Sequence, residues 1–198
     1  MTTPSSFILP EKVPSTGNAL TRWLGRTILR SIGWQVKGEL PNHAQVVICG
    51  APHTSNWDFI VAMGVSLAMG IKFSYLMKKE AFIWPFRGLF MAMGGIPLDR
   101  GSSVDTVQQI AQWYRDHDQV WLAITPEGTR SKVERWKTGF LRIAHQAQVP
   151  VFLVGWHYPE KALYLDKLWH TTGDHVKDAE EIRAYLTSRY QGAHPEKQ

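Results

Sequence analysis

The chain has 198 residues, 44% of them hydrophobic, with 22 basic against 17 acidic side chains, one cysteine and a formal charge of +5. That length suits one core and marks no second domain, the lone Cys49 excludes an internal disulfide framework and fits a reducing cytosol, and the basic balance suits anionic lipid, phosphorylated substrate or nucleic acid. Nucleic acid falls away because the basic residues are dispersed and no recognition motif accompanies them.

Residues 1–16 carry Pro4, Pro10 and Pro14 among polar side chains, so a flexible tail is expected rather than a signal peptide. Over residues 17–33, Leu20, Trp23, Leu24, Ile28 and Ile32 recur at helical spacing, with Arg22, Arg26 and Arg30 four apart. This predicts an amphipathic helix with a basic stripe. A cationic helix with Trp at the edge of its apolar face fits the headgroup region of an anionic membrane; a core-packed helix with solvated arginines fits the same pattern equally well. The longest nearly uncharged apolar stretch, 59–71, falls short of the roughly 20 residues that span a bilayer, so no transmembrane anchor is expected.

From Trp34 onward, apolar runs at 46–49, 73–77, 120–124 and 151–154 predict strands. Helical patterns at 56–69, around 86–91, and at 103–117 and 138–148 alternate with them, and 177–190 predicts a closing helix. A last strand at 161–169 follows the previous one through His157-Tyr158-Pro159-Glu160 without an intervening helix. The rhythm predicts the α/β class: one domain over 34–192 with a mixed, mostly parallel central sheet flanked by helices, then a flexible tail at 193–198.

The strand at 46–49 runs into Gly50-Ala51-Pro52-His53-Thr54-Ser55-Asn56-Trp57-Asp58, which puts His53 beyond a strand end and ahead of a helix, where open α/β sheets bind ligands. Ser55 is a natural N-cap, Asp58 falls in the first turn, and His53 is left to fold back to the carboxylate. A carboxylate that fixes the imidazole tautomer makes a competent base near neutral pH. No Gly-x-Ser-x-Gly elbow occurs in the chain, so the attacking hydroxyl is assigned to a substrate. Ser55-x-x-Asp58 is also a capping-box sequence, and Cys49, four residues before His53, reads as a buried small hydrophobe in an apolar strand.

Other strand ends carry cations and turn residues. Residues 93–101 read as a short strand ending in Arg100, whose fork of donors suits phosphate. Thr125-Pro126-Glu127-Gly128-Thr129-Arg130-Ser131 follows the strand at 120–124 and reads either as ordinary turn chemistry or as a loop gripping a polar headgroup. Lys78, Lys79 and Lys137 add positive charge, each readable singly as a solvated surface lysine. His145, His157, His170 and His175 show no metal-ligand spacing.

Taken in order, these elements resemble the glycerophosphate and lysophosphatidate acyltransferase family over roughly residues 34–158. Its first block, His-x4-Asp, is matched by His53 and Asp58. The second resembles Gly94 to Arg100, the third, Glu-Gly-Thr-Arg-Ser, is matched letter for letter at 127–131, and the fourth resembles 149–155. The resemblance implies that His53 is the general base and Asp58 its orienting partner. It also implies that Arg100, Glu127, Gly128, Thr129 and Arg130 hold the glycerol-phosphate of the acceptor, with Lys79 and Lys137 as further phosphate contacts. The implied reaction moves an acyl group from acyl-CoA or acyl-ACP, as co-substrate, to a lysophospholipid such as 1-acylglycerol-3-phosphate. No bound cofactor or metal is expected, and peripheral placement on the inner, cytoplasmic face of the cell membrane is. Two other readings use the same residues: a peripheral anionic-lipid-binding protein without chemistry, and an acyl-thioester hydrolase in which His53 activates water.

Overall fold

The computed structural model describes residues 9–85, 87–92, 94–98 and 105–198. Helix α1 (Ala19–Ile32) opens on a reciprocal cap between Asn18 and Thr21 and ends at Gly33, whose φ of 74° suits glycine. Then come β1 (Gln35–Gly38), β2 (Gln45–Ala51), α2 (Trp57–Met69), β3 (Ser74–Lys78), α3 (Arg87–Ala92), β4 (Gly95–Leu98), α4 (Thr106–Asp116) and β5 (Val120–Ile124). The chain finishes with α5 (Gly139–Ala147), β6 (Val151–His157), β7 (Ala162–Trp169) and α6 (His175–Arg189).

The strands form one seven-stranded sheet in the order β1-β7-β6-β2-β5-β3-β4. β6, β2, β5, β3 and β4 run parallel, β7 is antiparallel to β6, and β1 runs parallel to β7. The expected mixed, mostly parallel sheet is the one observed. β1 is a strand beyond those expected: its sequence, Gln-Val-Lys-Gly, is short, polar and at the sheet edge, so neither burial nor alternation marks it. Pro97 sits in β4, at the other edge, the position in a sheet where a residue without an N–H is tolerated.

Successive residues of the central strands point to opposite faces, and both faces are buried. Val47, Cys49, Leu122 and Leu153 pack under α4, α5 and α6 with Ile110, Phe140, Leu141, Ile182 and Leu186. Val46, Trp121, Phe152 and Trp156 pack on the other face with Leu29 of α1 and Val61 and Val65 of α2.

Helices α1 and α2 cross closely, because a Cβ at Gly25 would fall 2.3 Å from the backbone nitrogen of Ala68. The buried positions of α1 are Gly25 and Leu29, so the face marked by Leu20, Trp23 and Leu24 is turned outward: Leu20 is 69% and Trp23 58% exposed. Arg22 of the basic stripe lies against Gly70 at the α2 C-terminus, where the helix dipole favours a cation. Residues 193–198, expected to be a flexible tail, include Gln198, whose side-chain amide donates to the carbonyls of Thr187 and Tyr190.

Candidate active site

Because β2, β5, β3, β4 and β6 are parallel, the loops that follow them emerge at one edge of the sheet. His53 follows β2, Thr125 to Arg130 follow β5, Lys79 follows β3 and Tyr158 follows β6. Arg100 follows β4 in sequence but lies outside the described residues.

His53 Nδ1 lies 2.9 Å from Asp58 Oδ2; the imidazole is 16% exposed and the carboxylate fully buried. The same oxygen accepts the backbone N–H groups of Thr54 and Ser55, each at 3.0 Å. Its second oxygen accepts the Tyr158 hydroxyl at 2.6 Å. Asp58, in the first turn of α2, therefore ties down the loop ahead of the helix and orients His53 at once; the N-cap is Asn56, which makes no side-chain cap bond, and not the expected Ser55. The Ser55 hydroxyl accepts the N–H of Trp57. With every neighbour of Asp58 donating, the imidazole proton sits on Nδ1, which leaves Nε2 to accept from a substrate.

Glu127 is 8% exposed. Its Oε1 accepts the backbone N–H of His53 at 3.0 Å, while Oε2 is buried and has no hydrogen-bond partner among the described residues. Burial pushes its carboxyl up to about 7, opposed by that backbone bond and by His53. Cys49 is fully buried, and burial, with a smaller effect of the Glu127 charge, pushes its thiol well up. Such a thiol is a poor nucleophile.

Gly128 holds φ of +65°, a conformation in which a side chain is strained. Its N–H donates to Thr125 O at 3.1 Å, and the Lys137 N–H donates to Pro126 O at 2.9 Å. The Lys137 side chain lies across this glycine, since a Cβ there would come within 2.6 Å of Nζ. Thr129 Oγ1 accepts from the Ser131 N–H, and Arg130 is exposed on the wall of a cavity. Lys79 is exposed in a 3₁₀ turn beyond β3.

That cavity, of about 750 Å³, lies between the sheet and α2, a volume in the range of about 300–1,000 Å³ found for ligand pockets. His53, Thr125 and Arg130 line its polar part; Phe59, Trp121, Phe152, Leu163 and Leu165 are among its apolar walls. Gly50 makes room for the Trp156 indole, whose carbon a Cβ would approach to 2.6 Å, and that ring packs 6.2 Å from the imidazole of His53. The structure thus gathers His53, Asp58, Glu127, Gly128, Arg130 and Lys137 into one region, with Glu127 behind the histidine rather than among the cavity-lining residues.

Sequence reasoning missed Tyr158 and Trp156 as site residues. The signal available was position, because each sits at or just past the end of a central parallel strand. Among the described residues, no group of three or more His, Cys, Asp or Glu side chains is placed to hold a metal, and no helix is long and apolar enough to cross a membrane.

The search of curated proteins gives no significant match. Among solved structures, the fold is similar to the crystal structure of the 1-acyl-sn-glycerophosphate acyltransferase PlsC from Thermotoga maritima. The TM-score is 0.60 at 17% identity, over 84% of this chain and 75% of that one. The sequence model of the acyltransferase family matches residues 33–155, which contain His53, Asp58 and the whole of the 127–131 loop. The chain belongs to the acyltransferase family, and the enzyme moves an acyl group.

Proposed function

We propose that the enzyme transfers a fatty acyl group from acyl-CoA or acyl-ACP to the hydroxyl of a lysophospholipid, with 1-acylglycerol-3-phosphate the leading acceptor, at an anionic membrane surface. The observation that carries this reading is the placement of His53, backed by the buried Asp58, on the wall of an apolar cavity that also carries Arg130. An acyl chain fits such walls, and a phosphate fits the exposed guanidinium, with the Lys137 ammonium nearby over Gly128.

In this mechanism His53 Nε2 takes the proton of the acceptor hydroxyl as its oxygen attacks the thioester carbonyl. The tetrahedral intermediate collapses with rupture of the C–S bond, and the imidazolium returns the proton to the leaving sulfur, which gives the free thiol and restores neutral His53. Cys49 is too buried to act as an intermediate acyl carrier, which favours direct transfer. Arg130, Lys137, Gly128 and Thr129, with Arg100 and Lys79, are assigned to the phosphate side of the acceptor. Glu127 is assigned to holding the His53 main chain. The similarity to PlsC, named for acylating 1-acyl-sn-glycerophosphate, supports the choice of acceptor.

Membrane contact is assigned to the outward face of α1 together with Trp57, Phe59 and Ile60 of α2, all exposed apolar side chains, with Arg30 adding exposed positive charge. The proposed location is peripheral, on the anionic inner face of the cell membrane.

The test is a product assay with purified protein, long-chain acyl-CoA or acyl-ACP, and a panel of lysophosphatidate, glycerol-3-phosphate and zwitterionic lysolipids. Phosphatidate formation, with little thioester loss when acceptor is omitted, supports the reading. Acceptor-independent thioester hydrolysis would assign a hydrolase instead, and lipid binding without turnover would leave only a binding protein.

A further inference from the structure

Asp58 orients His53 through one oxygen, and what fixes the other oxygen comes from 100 residues further along the chain. Tyr158 begins the 3₁₀ turn Tyr158–Glu160 beyond β6, and its hydroxyl donates to Asp58 Oδ1 at 2.6 Å. Burial and the neighbouring carboxylate push the phenol pKa up, so it is a donor at any working pH.

The residue is itself held from several sides. Its ring meets Trp34 edge-on with centroids 4.9 Å apart, and its backbone N–H donates to Gln191 O at 2.9 Å. Gln191 in turn donates its N–H to His157 Nδ1 at 3.2 Å. The same C-terminal segment reaches the catalytic loop directly: the His194 N–H donates to Thr54 Oγ1 at 3.1 Å, and a Cβ at Gly192 would fall 2.5 Å from that oxygen. A tyrosine anchored in this way can restrain a carboxylate, whereas a loosely held one would follow it.

We propose that Tyr158 is a positioning residue for acyl transfer, acting through Asp58: its hydroxyl pins the carboxylate so that Oδ2 meets His53 Nδ1 and leaves Nε2 aimed at the acceptor hydroxyl. The proposal rests on the reading of His53 as the general base. Tyr158 therefore sets the orientation of the base. Among the described residues, Asp58 from the start of α2, Glu127 from the loop after β5 and Arg130 on the cavity wall bring charge to the surroundings of His53, and the Trp156 ring of β6 packs beside it.

The experiment is Tyr158→Phe, which removes one oxygen and keeps the ring, with Tyr164→Phe, whose hydroxyl bonds Glu160 and not Asp58, as a control for the same chemical change. In protein labelled with ¹⁵N-histidine, the proton that His53 Nδ1 shares with Asp58 gives a resonance that should move in Tyr158→Phe and hold in Tyr164→Phe. In acyl transfer, kcat of Tyr158→Phe should fall roughly tenfold with KM for donor and acceptor little changed. An unmoved His53 Nδ1–H resonance in Tyr158→Phe, or an equal loss of kcat in Tyr164→Phe, would overturn the proposal. The NMR arm needs no acceptor, so failure to acylate lysolipids strikes the functional assignment, whereas an unmoved resonance strikes this role of Tyr158.

Discussion

Glu127 Oε1 accepts the backbone N–H of His53 across 74 residues of sequence, so the acid of the Glu-Gly-Thr-Arg-Ser loop holds the main chain of the residue that Asp58 holds by its side chain. Two carboxylates thus fix one histidine from two directions. One is buried in a nest of donors; the other is half satisfied.

The half-satisfied one has a pH consequence. Burial raises the Glu127 carboxyl from 4.5 to about 7, so between those values the folded chain keeps a proton that the unfolded chain has released. Stability from this group is full below about 4.5 and is lost as pH rises through 7, a span of roughly 3 kcal/mol. Glutamine keeps an amide oxygen for the His53 N–H and does not ionise. Denaturant unfolding at pH 5 and pH 8 should show a smaller loss in Glu127→Gln than in wild type. Equal losses would contradict the assignment.

Arg130 and Lys137 are predicted to act on acceptor binding rather than on the chemical step. Arg130→Ala and Lys137→Ala should each raise KM for a phosphate-bearing acceptor by about tenfold, roughly 1.4 kcal/mol, with kcat within about threefold. Steady-state kinetics at fixed donor separate the two parameters. A loss confined to kcat would place these cations elsewhere in the mechanism.

Cys49 should be dispensable for turnover. Its thiol is buried against the α4–α6 core and pushed up by burial, so Cys49→Ala should cost about 1 kcal/mol of stability through lost packing and leave kcat essentially unchanged. Intact-mass measurement after mixing with acyl donor alone should show no acyl adduct. An adduct lost in Cys49→Ala would instead establish a covalent pathway.

The outward apolar face of α1 predicts lipid contact. Replacing Leu20, Trp23 and Leu24 together with Ser should reduce sedimentation with anionic vesicles by roughly tenfold or more, since each buried apolar side chain contributes on the order of 1.5–3 kcal/mol. The melting temperature should hold, because these side chains are exposed in the structure. Undiminished vesicle binding would remove α1 from the interface.

Much of the scaffold was readable from short-range pattern. The apolar runs of β2, β5 and β6 announce strands buried on both faces, and the order of motifs places the loops after them at a common edge. The edge strand β1 was not readable, because Gln35, Lys37 and Gly38 carry neither alternation nor burial. The outward face of α1 depends on Gly25, a small residue whose role appears only when the α2 backbone lies against it. At the site, His53 and Asp58 are five residues apart and could be paired by eye. The bonds from Glu127 and Tyr158 join distant segments that only the sheet topology brings together. The letters of the 127–131 loop matched a family pattern, yet they do not say that its acid faces a backbone N–H.

The most direct test of the central claim is acyl transfer by His53→Ala beside wild type, with lysophosphatidate and long-chain acyl-CoA, after circular dichroism has shown that both are folded. Removal of the general base predicts a fall in phosphatidate formation of roughly 10²–10⁴-fold with the fold intact. Turnover within a few-fold of wild type in the folded variant would contradict the account.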